Sequence, residues 1–401
     1  MVIIQYNPFE KQPEDGMTFF GLLSSFWEKR KRMITIVVEG LGDVFWGQYW
    51  LPLSRLAAQP SRAQIWLVDI FPLKPQYVDT ISEYPSIHFL NKSNPEDEKL
   101  YQEITSDVVL ISVPDAMHLK TTEEWLGENW WKNRAAVIFI EKPYDQDMDY
   151  AAKFQKKFLE KYNELPCVVI PFDHYLAKIS NFISNGQRCL QELGDELTRI
   201  EFSILESKII DPPERAKSLK YGMIYDLLCH PLSIISTVCD LDGAFVDTVE
   251  SAKYENAPEE VSDTFDYIEL YLKNFNGKPI SVTGSVGKGV GERDEKYINI
   301  FGRGERMIHF SFWPKEGNIK LITESMDCEV FPVLNAYEYF IDRLFEGDYI
   351  RHPVGALSHL TALNILKILS SAKTKANLPP KIYKAGTSVK EIRSLFLMKE
   401  E

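Results

Sequence analysis

The run Met33-Ile34-Thr35-Ile36-Val37-Val38 is continuous and β-prone, and Gly40-Leu41-Gly42-Asp43 follows it at once. A strand without polar alternation must be buried on both faces, as in a parallel sheet covered by two helical layers. An apolar-patterned stretch continues through Leu56, so the order is strand, glycine turn, helix. Glycines at 40 and 42 would let backbone N–H groups approach a pyrophosphate at the helix N-terminus. The fingerprint is incomplete, because Phe45 stands where its third glycine is expected.

The same grammar repeats. Gln64-Ile65-Trp66-Leu67-Val68-Asp69 is a second strand ending in an acid, suited to accept from the adenosine ribose hydroxyls. That acid disfavours a 2′-phosphate and leans toward NAD, while Lys74 leaves NADP open. Asp107 to Pro114 is another buried strand, with a helix from about Ala116 to Trp131. Ala135 to Ile140, a helix from about Gln146 to Lys161 and the strand Cys167 to Phe172 follow. Alternation at this spacing predicts a Rossmann-type, doubly wound parallel sheet over residues 33–173.

Beyond it the texture changes. Thr198 to Ile204, Thr264 to Leu272, Pro279 to Val286, Tyr297 to Phe301, Met307 to Trp313 and Lys320 to Thr323 read as strands, several alternating polar with apolar. Residues 174–401 are therefore expected to form an α+β domain with a large, mostly antiparallel open sheet, one face covered. Asn335 to Phe345 and Gly355 to Ser371 carry helical periodicity. Gly284-Ser285-Val286-Gly287-Lys288-Gly289 lacks the spacing of a phosphate loop and reads as a hairpin turn. Residues 1–32 form an N-terminal extension, either a surface helix or an arm onto a partner subunit.

Composition narrows the partners. A net charge of −13 argues against general affinity for nucleic-acid backbones. The 5 cysteines are scattered without metal-ligand spacing, so no metal site is expected and a reducing compartment fits. No apolar run approaches the roughly 20 residues that span a bilayer. The apolar-rich Met17 to Trp27 precedes its basic cluster, the reverse of a secretory signal, so no membrane partner and a cytoplasmic location are expected.

Three segments carry candidate chemistry. Asp173-His174-Tyr175-Leu176-Ala177-Lys178 lies at the end of a core strand, where ligands bind in open α/β sheets. Glu141-Lys142-Pro143 ends another strand, with proline stopping its continuation. In Gly222 to Leu232, read as one helix, a spacing of four puts Asp226 and His230 on one face. An imidazole titrating near neutrality can take a hydroxyl proton while the carbon gives up hydride. A carboxylate can orient that ring, and an ammonium such as Lys142 can lower the hydroxyl's pKa. Against this, Asp226 and His230 taken alone read rather as a core histidine capped by its own helical acid. Arg215, Lys217 and Lys220 precede that helix and would add phosphate contacts or form a solvated charged loop.

With Glu141-Lys142-Pro143, the strand Asp107 to Pro114 followed by His118, and Asp226-x-x-x-His230, the chain resembles the glucose–fructose oxidoreductase and inositol dehydrogenase superfamily (Gfo/Idh/MocA). It is also similar to the glucose-6-phosphate dehydrogenase family in Gly42-Asp43-Val44, Leu51-Pro52-Leu53, Glu141-Lys142-Pro143 and above all Asp173 to Lys178. The resemblance implies cofactor contacts from Gly40, Gly42, Asp43, Val44, Asp69, Pro114, His118 and Glu141. It implies Lys142 at the substrate hydroxyl and His230 as base, supported by Asp226 in one family or Asp173 in the other. His174, Tyr175 and Lys178 match sugar-phosphate contacts, with Lys220 beside them. The partial glycine pattern, Pro171-Phe172 in place of Arg-Ile, and the Asp-to-His spacing depart from the second family. Glucose-6-phosphate dehydrogenase activity itself is therefore not expected.

The expectation is a nicotinamide-dependent oxidoreductase, using NAD or NADP, that acts on a sugar, cyclitol or sugar phosphate. Assembly is expected as a homodimer or homotetramer through the open sheet face. The rival is a dinucleotide-sensing regulator on the same fold without turnover.

Overall fold

A computed structural model describes residues 33–42, 44–127, 134–161, 167–180, 182–183, 196–210, 219–304, 306–312, 317–322, 328–346, 355–376 and 379–397. Residues 1–32, Asp43, Arg215 and Lys217 lie outside these. The chain divides into two compact units, one of Val2–Asp173 with Asn335–Leu360, the other of His174–Leu334 with Thr361–Glu401.

The first unit holds six strands: β1 (Ile34–Glu39), β2 (Ala63–Asp69), β3 (Ile87–Asn91), β4 (Ser106–Ile111), β5 (Ala135–Ile140) and β6 (Val168–Pro171). All pairings are parallel, in the order β3-β2-β1-β4-β5-β6. Strand order reverses between β1 and β4, the switch point where such sheets take ligands. β1, β4 and β5 each bury almost every residue, which is why they read as unbroken apolar runs.

The helix expected from Ala116 to Trp131 is a 3₁₀ turn (Asp115–Met117) running into an α-helix (His118–Leu126) that Gly127 ends. The helix Ala336–Glu346 also belongs to this unit. Phe340 packs against Phe139 and Phe172 with centroids 4.8 and 4.5 Å away, and Glu338 pairs with Arg55. A bridge between Phe172 and Ala356 ties the same segment to the end of β6.

The second unit is built on a nine-stranded sheet. Its strands are β7 (Arg199–Glu206), β8 (Cys239–Tyr254), β9 (Phe265–Asn274), β10 (Pro279–Lys288), β11 (Glu295–Phe301), β12 (Met307–Ser311), β13 (Asn318–Ile322), β14 (Cys328–Pro332) and β15 (Lys381–Tyr383). The order is β14-β13-β12-β11-β7-β10-β9-β8-β15, antiparallel except for the β7–β10 and β8–β15 pairs. Buried Ile280, Val282 and Val286 of β10 share a face with Ile298 and Ile300 of β11 and Ile200, Phe202 and Ile204 of β7. The opposite face carries Glu201, Tyr271, Ser281 and Asn299.

Two expectations are corrected here. Residues 284–288 are the end of β10, not a hairpin turn, because Gly284 to Lys288 stay in register with β7. Gly222 to Leu232 is not one helix: Met223–Leu227 and Cys229–Ile235 are separate, with a turn at Leu228. Pro231 has no N–H for the Leu227 carbonyl and its ring crowds that group, so the helix breaks there.

Candidate functional site

In the first unit the chain leaves β1 at Gly40, whose φ is +89°. A Cβ there would lie 2.6–2.8 Å from the backbone of Ser112 and Val113, so only glycine passes β4 this closely. Among the described residues nothing lies within 4 Å of where a Cβ on Gly42 would stand, which leaves that side of the turn approachable. Asp69, ending β2, accepts from Leu41 N at 2.8 Å and Phe71 N at 3.0 Å. Each carboxylate oxygen keeps further acceptor capacity. An approachable glycine turn with an acid at the next strand end fits the phosphates and ribose of a dinucleotide.

After the turn comes a π-helix, Phe45–Tyr49, before the α-helix Trp50–Ala57. Such one-turn widenings recur at functional sites. Phe45 is buried, Trp46 stacks face to face on Tyr77 at 3.6 Å, and Val44 stays exposed. Beside Asp69, Ile70 and Phe71 are exposed apolar side chains, Phe71 at 69%.

The other end of the switch point is tied by His118. Its Nδ1 lies 2.7 Å from the Pro143 carbonyl and its Nε2 2.9 Å from the Val113 carbonyl, joining the chain around Pro114 to the exit of β5. Both ring nitrogens of this buried side chain thus face backbone oxygens. Glu141 is buried too, and the Tyr49 hydroxyl donates to its Oε1. Burial pushes the Glu141 carboxyl up, the Tyr49 bond and the Lys142 ammonium oppose it, and the outcome is about 7. Lys142 is half-buried, and its peptide bond to Pro143 is cis. Asp173 is fully buried at the end of the unit, where its N–H donates to Gly355 O at 2.9 Å.

In the second unit a short helix, His174–Lys178, carries the rest of the Asp-His-Tyr-Leu-x-Lys run. Tyr175 lies nearly parallel to the buried His230 ring at 4.2 Å, and His174 meets that ring edge-on at 4.5 Å. Lys178 Nζ sits 4.2 Å above the Tyr175 ring. The structure therefore brings His174, Tyr175, Lys178 and His230 into one cluster. Lys220 Nζ lies 4.7 Å over the Tyr221 ring.

Asp226 reaches a group that sequence reasoning missed. Lys288 Nζ lies 3.0 Å from Asp226 Oδ2 and 2.9 Å from Glu206 Oε2, and Lys296 Nζ is 2.8 Å from Glu206 Oε1. Burial alone would raise the Glu206 carboxyl, but Lys288 and then Lys296 outweigh it and hold it at about 2. A signal was available. Glu206, Lys288 and Lys296 fall in step with the inward-facing residues of β7, β10 and β11, and charges on a covered face need partners.

His359 also escaped notice. Its Nε2 is 2.8 Å from the Val169 carbonyl, so that nitrogen donates and Nδ1 accepts from the Tyr144 hydroxyl at 2.6 Å. Burial pulls this imidazole down to about 4, which keeps it neutral. Cys167, Cys229 and Cys239 are buried thiols.

No protein-family model matches the chain. No curated protein matches it either. Solved structures do. A glucose-6-phosphate 1-dehydrogenase from Mycobacterium avium aligns over 91% of this chain and 97% of its own, at 14% identity and TM-score 0.62. A 3-ketoreductase from Actinomadura kijaniata, solved with NADP and TDP-benzene, aligns over 88% and 100%, at 13% identity and TM-score 0.59. A UDP-N-acetylglucosamine 3-dehydrogenase from Acidithiobacillus ferrooxidans aligns over 86% and 98%, at 16% identity and TM-score 0.57. At these identities the likeness is one of fold: a Rossmann-type parallel sheet followed by a large, mostly antiparallel one.

Proposed function

We propose that the protein is an NAD(P)-dependent oxidoreductase acting on a CH–OH carbon of a sugar, cyclitol or sugar phosphate. The observation that carries this reading is Asp69 bonded to the open glycine turn at the switch point of a doubly wound sheet. The names of the similar structures, a glucose-6-phosphate 1-dehydrogenase, a UDP-N-acetylglucosamine 3-dehydrogenase and a 3-ketoreductase solved with NADP, support it.

A bound nicotinamide dinucleotide would accept or return the hydride. Gly40, Gly42, Asp43 and Val44 would hold its phosphates and Asp69 its ribose, which favours NAD. Pro114, His118 and Glu141 would shape the wall nearer the nicotinamide. Lys142 would place its ammonium at the reacting hydroxyl, and His230 would take that proton, aided by Asp226 or Asp173. Packing on Tyr175 fixes the His230 ring plane, so its nitrogen meets the hydroxyl in one orientation. His174, Tyr175, Lys178 and Lys220 would hold the substrate, with Lys178 suited to an anionic group. The sheet face bearing Tyr271 and Asn299 would serve a homodimer or homotetramer contact.

The second reading, a dinucleotide-sensing regulator, is favoured by Phe45 in place of the third glycine. Titrating NADH and NADPH by nicotinamide fluorescence, then screening sugars and sugar phosphates for reduction of NAD or NADP, separates the two. His230→Ala is expected to lower turnover by ~10²–10⁴ with dinucleotide binding intact. Unchanged turnover would remove His230 as the base; binding without turnover on any substrate would favour the regulator.

A further inference from the structure

Tyr49 is the last residue of the π-helix that follows the glycine turn, and it is almost wholly buried. Its ring meets Tyr337 edge-on at 4.6 Å, and its hydroxyl donates to Glu141, the residue before Lys142. One side chain thus spans from the element that begins at the turn to the end of β5. In an α-helix of this length residue 49 would lie at a different angle about the axis, because each π turn takes up one extra residue. The widened turn is what aims Tyr49 at Glu141.

The charges around Glu141 give the contact a chemical consequence. Tyr49 faces it from the π-helix, Lys142 from its own strand end, and Asp173 from the end of β6. Burial, the largest influence, disfavours the carboxylate and leaves it near 7; the Tyr49 hydroxyl and then Lys142 favour the ionised form, and Asp173 disfavours it. The same charge interaction acts in reverse, so a carboxylate at Glu141 attracts the neighbouring Lys142 ammonium.

We propose that Tyr49 is a positioning residue for Lys142: its hydrogen bond to Glu141 keeps a carboxylate charge beside that lysine and fixes the end of β5 to the helix after the glycine turn. The proposal rests on the reading of Lys142 as the cation at the reacting hydroxyl. Its content, the protonation state of Lys142, is measurable without a substrate.

The test is acylation of the full chain by acetic anhydride at pH 7.5, with each lysine followed by peptide mass spectrometry and the other lysines as internal controls. Only the neutral amine reacts. Tyr49→Phe removes one oxygen and keeps the ring against Tyr337; Glu141→Gln removes the charge and keeps an acceptor for Tyr49. Lys142 is expected to react roughly three- to tenfold faster in Tyr49→Phe, and at least as fast again in Glu141→Gln, since one pKa unit is a tenfold change in neutral amine. Its midpoint in a pH series should fall in the same order, which a merely structural role would not produce. A Lys142 rate within about twofold of wild type in both folded variants would overturn the proposal. Should Tyr49→Phe fail to fold, Glu141→Gln decides alone by the same criterion. NADH fluorescence on the same samples reports on the oxidoreductase reading separately, so either idea can fail without the other.

Discussion

Lys288 lies directly across the β7–β10 ladder from Glu206 and extends to Asp226 on the helix covering the sheet, with only 5% of its side chain exposed. One ammonium thus holds two carboxylates from different elements. Its removal would take this ammonium from Asp226 and leave Glu206 with Lys296. Lys288→Met is expected to destabilise the chain by about 3–5 kcal/mol, as when one partner of a buried pair is lost. Denaturant unfolding at neutral pH measures this, and a change under about 1 kcal/mol would mean that the cluster is effectively hydrated. Because Glu206 is held at about 2, below its unfolded value near 4.5, its contribution is present above pH 4.5 and disappears as pH falls toward 2.

Glu141 has the opposite sign. Its carboxyl is raised to about 7, so between pH 4.5 and 7 the folded chain binds a proton that the unfolded chain has released. The associated stability therefore falls as pH rises through that window, by on the order of 3 kcal/mol. Glu141→Gln should stand higher relative to wild type at pH 8 than at pH 5. Equal differences at the two pH values would show that Glu141 titrates normally.

Gly222 has φ +78°, and a Cβ there would fall 2.1 Å from the Asp263 carboxylate, which accepts from Met223 N at 2.8 Å and from Lys373 Nζ at 2.6 Å. Gly222→Ala must therefore both strain the backbone and push Asp263 off the helix start. A loss of 1–3 kcal/mol or more is expected in thermal or denaturant melts. Wild-type stability would show that the turn can be rebuilt without glycine.

Asp69→Asn keeps the side chain's size but offers only one accepting oxygen, so Leu41 or Phe71 N–H loses its partner. Weaker NADH binding, roughly tenfold, is expected in fluorescence titration, with NADPH affected less because its 2′-phosphate is no longer repelled. If both dinucleotides weaken equally, Asp69 shapes the turn and does not select the cofactor.

The parallel sheet was legible because β1, β4 and β5 are buried on both faces and so lack polar residues. β8 was not. Asp240, Asp242 and Asp247 give it a turn-like composition, and its register with β9 shifts between Asp240 and Phe245 and again between Val246 and Thr248. β3 is short and carries His88 and Asn91, too little periodicity to read. At the candidate site, the cluster of His174, Tyr175 and Lys178 around His230 joins two segments separately singled out in the sequence. Tyr49 and Lys288 were illegible for a common reason: each matters through a partner more than eighty residues away, Glu141 and Glu206. Inward charges on β7, β10 and β11 were the trace that strand-by-strand reading could have followed.

The first unit closes its core with residues that come after eight of the nine strands in the second unit's sheet. Phe139, Phe172 and Tyr49 lie against Phe340 and Tyr337, and these emerge only after β14 has been made. On a ribosome adding about 5–20 residues per second, the interval from Asp173 to Glu346 lasts roughly ten to thirty seconds. For that time the nascent sheet carries an apolar face without its last helix, a surface on which chaperones would act. A fragment ending at Asp173 would be left permanently in that state.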